Sequence, residues 1–266
     1  MNRQARNNLK PGKAGPIADT IADHSGYFWQ SSLPLTSLLF LIPLIIVYEV
    51  GTSWYASDPV SHVEQRILAF KDMQNFFDWF GARGAYMPAA AVVAILLACH
   101  IARRDAWTAR SGVLLGMSVE SLMYAIPLVT MGYLFNHYLL FRPSSSNWRM
   151  LLILSIGAGI YEEMVFRLIL FHVLHMLLID LLKVPKNRAI PLMVLLSAVS
   201  FSLYHYQIPW LFCSGAEQFD LQSFVFRTLA GIYFGMIFMW RGFGLTAGAH
   251  ASYDIVIVLL RLAAQG

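Results

Sequence analysis

Between Thr36 and Leu262 the sequence is largely a succession of apolar runs, each about as long as a bilayer is thick. A helix needs about 20 such residues to cross the hydrocarbon layer, and a backbone there must satisfy its own hydrogen bonds. The runs lie at 36–55, 87–102, 111–135, 148–182, 189–206, 222–240 and 244–262. Of the 266 residues 58% are apolar and 13% charged, against about 25% charged in soluble domains. The expected fold class is therefore all-α, a polytopic transmembrane helical bundle.

The run at 148–182 is too long for one crossing at about 1.5 Å per residue. Read as two helices breaking near Glu162, Glu163 and Arg167, it brings the total to about eight spans. A single tilted helix gives seven, and that arrangement is expected to separate Glu162 from His205, so eight is preferred. Three regions follow. Residues 1–33, with Arg3, Arg6, Lys10 and Lys13, read as a mobile basic tail. Residues 34–147 hold three spans and, at 57–85, a segment mixing Asp58, Glu64, Arg66, Lys71, Asp72 and Asp78 with Phe70, Phe76, Phe77, Trp79 and Phe80. That mixture suits a helix lying in the membrane interface. Residues 148–262 form a core that carries the ionisable groups. Arg103, Arg104 and Arg110 favour an inside N-terminus, while Lys183, Lys186 and Arg188 fall outside in the eight-span count. No short apolar stretch with a small-residue cleavage site precedes the first run, which reads as an uncleaved span. The net charge of +4 reflects basic flanks rather than a nucleic-acid surface. Cys99 and Cys213 form no CxxC pair and read as free structural thiols.

The stretch GIYEEMVFRLILF at 159–171 keeps three ionisable side chains inside an apolar run. A charge at the bilayer centre costs about 2.5–3.5 kcal/mol on insertion scales, so such groups face a cavity or a partner. Glu163 and Arg167 are four apart and share a helix face. Glu162 is rotated from Glu163 by about 100° and is free to point elsewhere. A buried ion pair that merely sets a helix register would account for these three alone. Two other runs add matching chemistry: His205 with Phe201 one turn earlier, and His250 with Asp254 four residues on. A carboxylate and a neutral imidazole can jointly hold and deprotonate a water. A second imidazole and another polar group can stabilise the oxyanion that results. Glu49, His100, Glu120, His172 and His175 lack a complementary partner at helical spacing, although His172 and His175 are three apart. They read as packing or headgroup contacts. Arg227 either snorkels to the interface or pairs with a carboxylate of protein or substrate.

Three motifs in order, EExxxR at 162–167, FxxxH at 201–205 and HxxxD at 250–254, make residues 148–262 resemble the type II CAAX prenyl endopeptidases. They also resemble the wider CPBP (CAAX protease and bacteriocin-processing) or Abi-type family of intramembrane glutamate proteases. The resemblance implies a bundle around a water-accessible cavity, with Glu162 and His205 positioning and activating the attacking water. It implies supporting roles for Glu163, Arg167 and Phe201, and an oxyanion hole lined by His250 and residue 254. Position 254 departs from the prenyl-protease branch, where an asparagine amide donates to the oxyanion. An ionised Asp254 only accepts hydrogen bonds, so it is either protonated or orients His250; the wider bacterial family tolerates aspartate here.

The activity so implied is a metal-independent intramembrane endopeptidase, without cofactor, acting on a peptide or lipidated protein substrate in the lipid bilayer. A zinc-dependent version would use Glu, His and His ligands, but no HExxH is present and the resemblance favours the metal-free route. An alternative of another class is a proton-coupled transporter, immunity or scaffold protein using the same polar cluster. No inverted repeat with broken helices supports transport. The expected site is the bacterial inner (cytoplasmic) membrane, with an endomembrane second.

Overall fold

The computed structural model describes residues 26–55, 66–135, 147–208, 213–214 and 217–265. The tail expected at 1–33 therefore lies mostly outside the described residues, as does Cys213 in its side chain and the first part of the interfacial segment. The elements are α1 (Tyr27–Ser31), α2 (Pro34–Tyr55), α3 (Leu68–Trp79), α4 (Met87–Arg103) and α5 (Ser111–Leu134). They continue with the long α6 (Trp148–Leu181), α7 (Lys186–Leu203), a small antiparallel hairpin, α8 (Leu221–Arg241) and α9 (Phe243–Gln265). The hairpin pairs β1 (Gln207–Ile208) with β2 (Cys213–Ser214). Otherwise the described fold is helical, as the apolar runs require. α2, α5, α6, α8 and α9 are long and apolar enough to cross a membrane; α4 and α7 fall short by that measure.

The break expected at the Glu–Glu–Arg cluster is absent, which corrects the preference for eight spans. α6 runs unbroken for 34 residues. The reason is local: Glu163 and Arg167 neutralise each other on one face, so the helix keeps its charges without opening. It adjusts its pitch instead. The turns Ala158–Glu162, Met164–Ile169 and Met176–Leu181 are π-helical, placing the motif in wider turns of a kind frequent at functional sites. An unbroken α6 does not separate Glu162 from His205 either. Glu162 lies as many positions before Leu181 as His205 lies after Lys186, so the α6–α7 hairpin returns the imidazole to the depth of the carboxylate.

Helix ends follow the sequence. Asn147 Oδ1 caps α6 by accepting from Met150 N at 3.3 Å, and Asp220 Oδ2 caps α8 by accepting from Ser223 N at 2.7 Å. Gly242, at φ 78°, turns α8 directly into α9 with a conformation open to residues without a Cβ. α9 is the most enclosed of the five span-length helices and packs on α2, α5, α6 and α8. The largest core cluster joins α2, α3, α4 and α6 through Leu41, Tyr48, Phe70, Val92, Ile160, Tyr161 and Met164. α3 buries Ala69, Phe70 and Met73 and exposes Phe76 and Trp79, with Phe80 exposed just past its end, the two-faced pattern expected of an interfacial helix.

α1 is tied to the bundle by a buried arginine. Arg241 donates to both oxygens of Glu120 at 2.7 and 2.8 Å, to the Phe28 carbonyl at 3.0 Å and to Ser31 Oγ at 2.8 Å. Tyr27 Oη donates to Glu120 Oε2 at 2.5 Å, and burial followed by the adjacent carboxylate pushes that phenol's pKa up, keeping it a donor. Glu120, set aside on sequence spacing, thus has partners on two other helices.

α6 meets α9 at Gly159. A Cβ there would stand 2.6 Å from the Ala247 carbonyl oxygen and from Ala251 N, both backbone atoms that cannot swing away. Gly159→Ala is expected to cost about 1–3 kcal/mol, seen as a lowered melting temperature of the purified protein. Gly112→Ala, where a Cβ meets nothing within 4 Å among the described residues, leaves that temperature unchanged or raised.

Candidate active site

Glu162, His205, His250 and Asp254 come from α6, the turn just after α7, and α9, and all four line one cavity of about 330 Å³. Glu162 Oε2 stands 3.8 Å from His205 Nε2 and 4.0 Å from His250 Nε2. These separations exceed a direct hydrogen bond. A triangle with two sides of about 2.8 Å closes over either, so one water can contact the carboxylate and an imidazole together.

The tautomer of His205 follows from its other nitrogen. Nδ1 lies 2.9 Å from the Phe201 carbonyl, which can only accept, so Nδ1 carries the proton and Nε2 presents a lone pair toward Glu162. Phe201 is thus a backbone partner of His205, and its ring packs edge-on against both imidazoles at 5.1 and 5.9 Å.

His250 is held from three sides. Nδ1 sits 2.7 Å from Glu163 Oε1, Phe234 stacks on the ring at 4.6 Å and 21°, and Asp254 Oδ2 lies 3.6 Å from Nε2. Glu163, fully buried, also accepts from Arg167 Nη1 at 3.0 Å through the same oxygen. Arg167 is wholly buried too; it donates Nη2 to the Gly231 carbonyl at 3.1 Å and lies over the rings of Phe201 (4.6 Å) and Phe234 (5.6 Å). Among the described residues, Glu163 Oε2 and Arg167 Nε meet no hydrogen-bond partner. The pair stands behind His250 and leaves Glu162 to face the cavity.

Sequence spacing overlooked other wall residues. Tyr253 and Arg261 line the cavity from α9, and Arg261 lies on the face of His250 and Asp254, about two turns beyond the latter. Arg227 lines it from α8, donating Nη2 to Glu217 Oε1 at 2.8 Å. It therefore pairs with a protein carboxylate, one of the two readings its position allowed. Glu217 arrives through the hairpin, where its carbonyl accepts from Gln207 N at 2.9 Å. No spacing rule links a loop residue to a helix ten residues on. The remaining groups set aside lie elsewhere: His172 Nδ1 contacts the Leu168 carbonyl, His175 Nδ1 is 3.5 Å from Asp180, and His100 packs edge-on to Trp107. Among the described residues, no group of three or more His, Cys, Asp or Glu is arranged to hold a metal ion.

Removing one partner of a buried pair strands the other. Arg167→Met is expected to lower stability by about 3–5 kcal/mol, read by thermal denaturation in detergent. Adding Glu163→Gln to it should recover part of the loss, because no uncompensated carboxylate is then left inside.

Comparison with known proteins bears on the same stretch. Residues 143–256 match the family model described as Rce1-like, type II CAAX prenyl endopeptidase Rce1-like. No curated protein and no solved structure matches the chain.

Proposed function

We propose, on the premise that residues 143–256 are a CAAX prenyl endopeptidase-type domain of an integral membrane protein, that this chain is an intramembrane endopeptidase of the glutamate type. Its substrate is a membrane-associated or lipidated protein, and the reaction is hydrolysis of a peptide bond. The observation that carries the reading is the facing of Glu162 Oε2 and the lone pair of His205 Nε2 at 3.8 Å in one cavity. Both groups accept hydrogen bonds, so a water between them offers each a proton and turns its own lone pair toward a substrate carbonyl.

Glu162 takes the proton as the water oxygen bonds to the carbonyl carbon. The carbonyl oxygen becomes an oxyanion and accepts the Nε2 hydrogen of His250. His250 is therefore an imidazolium from the start of the cycle, flanked by Glu163 and Asp254; it donates Nδ1 to Glu163 and Nε2 to the oxyanion and loses neither proton, with Arg167 balancing Glu163. Collapse of the intermediate breaks the carbon–nitrogen bond, and the leaving amine recovers the proton from Glu162. Asp254, nearest to His250 Nε2 at 3.6 Å, orients that imidazole rather than donating to the oxyanion itself. The apolar part of the wall, including Leu151, Leu154, Phe226, Ile257 and Val258, suits an aliphatic or lipidated segment. Lipid association of the substrate fits a location in the bacterial inner membrane, with an endomembrane second.

N-terminal proteomics of cells carrying the parent protein and the Glu162→Gln form tests this reading. A defined set of new N-termini should disappear with Glu162→Gln while the protein level stays constant; an unchanged set refutes the mechanism. His205→Gln is expected to slow the same cleavages by about 10²–10⁴-fold. Purified protein stripped with a chelator should retain its cleavage rate, whereas loss restored by zinc would replace the carboxylate route by a metal one.

A further inference from the structure

The residues just before the water-activating pair are both tyrosines, and both are gripped from outside the matched domain. Tyr161 precedes Glu162; it is fully buried and donates its hydroxyl to Glu49 Oε1 on α2 at 2.9 Å. The other oxygen of Glu49 accepts from Arg66 Nη1 at 2.5 Å. Tyr204 precedes His205 and donates its hydroxyl to Asp72 Oδ2 on α3 at 2.6 Å. Arg66 lies over the rings of Phe70 (4.5 Å) and Tyr48 (5.3 Å), and Phe70 packs edge-on to Tyr161 at 5.0 Å. Between Arg66 and the start of α3, Ile67 forms part of the cavity wall. One seven-residue stretch, 66–72, therefore touches the cavity and holds the neighbours of both groups.

Adjacent residues on a helix point about 100° apart. A side chain that faces the cavity thus has a chain neighbour facing another way, and fixing that neighbour fixes the rotation of α6 at Tyr161 and the turn that closes α7 at Tyr204. The two tyrosines are such neighbours. His250 has no link of this kind to α3; Glu163 and Phe234 hold it.

We propose that residues 66–72 are a positioning strap for the Glu162–His205 pair, Arg66 acting through Glu49 and Tyr161, and Asp72 acting through Tyr204. The inference rests on the hydrolase reading for its effect on rate, but not for its effect on geometry. The strap sets the distance between carboxylate and imidazole, so loosening it impairs the chemical step and leaves substrate binding alone. A misplacement of about 1 Å can cost on the order of 10²-fold in rate.

The experiment uses the full chain in liposomes with a farnesylated peptide ending in a Cys-aliphatic-aliphatic-X sequence, together with ¹⁵N-histidine spectra of the same samples. Tyr204→Phe and Asp72→Ala should each lower kcat at least tenfold with KM within twofold and melting temperature unchanged. Their combination should be no worse than either alone, since both break one hydrogen bond. Asp72→Asn, which still accepts from the tyrosine, should restore most of the rate. The ring-nitrogen signals of His205 should move in Tyr204→Phe and Asp72→Ala while those of His172 and His175 stay. Unchanged kcat, a change confined to KM, or multiplicative losses in the double variant would overturn the strap. If Glu162→Gln cleaves as fast as the parent, or the parent does not cleave this peptide, the rate arm reports on the hydrolase reading instead. The spectra then decide: unmoved His205 signals refute the strap, and selective movement supports it.

Discussion

One buried oxygen organises the polar interior. Glu163 Oε1 accepts from Arg167 Nη1 on its own helix and from His250 Nδ1 on α9, and both carboxylate and guanidinium are shut off from solvent. In lipid, an unshared charge would be costly, so this contact forces α6 and α9 together at one register. The close approach at Gly159 makes room for it, leaving no space for a Cβ against the backbones of Ala247 and Ala251. Arg167 extends the constraint to α8 through the Gly231 carbonyl and to α7 through the Phe201 ring.

With that register set, the division of labour between the adjacent glutamates follows from helical rotation. Glu163 turns inward to structure, and Glu162 turns to the cavity, where no direct hydrogen bond from His205 or His250 commits it. The same division recurs at the histidines. Each imidazole spends Nδ1 on a fixed acceptor, a backbone carbonyl for His205 and a carboxylate for His250. Each keeps Nε2 for the cavity. Two identical side-chain types thereby acquire different chemistry: an acceptor is available at His205, and a ring backed by negative charge stands at His250.

The N-terminal half does more than surround this core. Its α2 and α3 supply acids to tyrosines beside the motif residues, and α1 is anchored through Arg241 and Glu120. Glu49 and Glu120 looked isolated along the chain because their partners lie on other helices, and helical spacing reports on one helix only.

Apolar run length by itself determined the helical class, since a chain in lipid must close its hydrogen bonds within each segment. Spacing by itself determined the Glu163–Arg167 and His250–Asp254 pairs, because residues four apart share a face. The motifs further picked out the four groups that share the cavity. Tertiary structure decided the rest. Whether α6 breaks depended on neutralisation inside the bundle, and the meeting of Glu162 with His205 depended on the matched arms of the α6–α7 hairpin. The places of Arg227, Glu217 and Arg261 in the cavity wall, and the hold of Glu49 and Asp72 on the tyrosines, depended on how helices dock. Local periodicity fixes directions around one helix axis, whereas contacts between helices depend on depth, tilt and packing, which no single segment encodes.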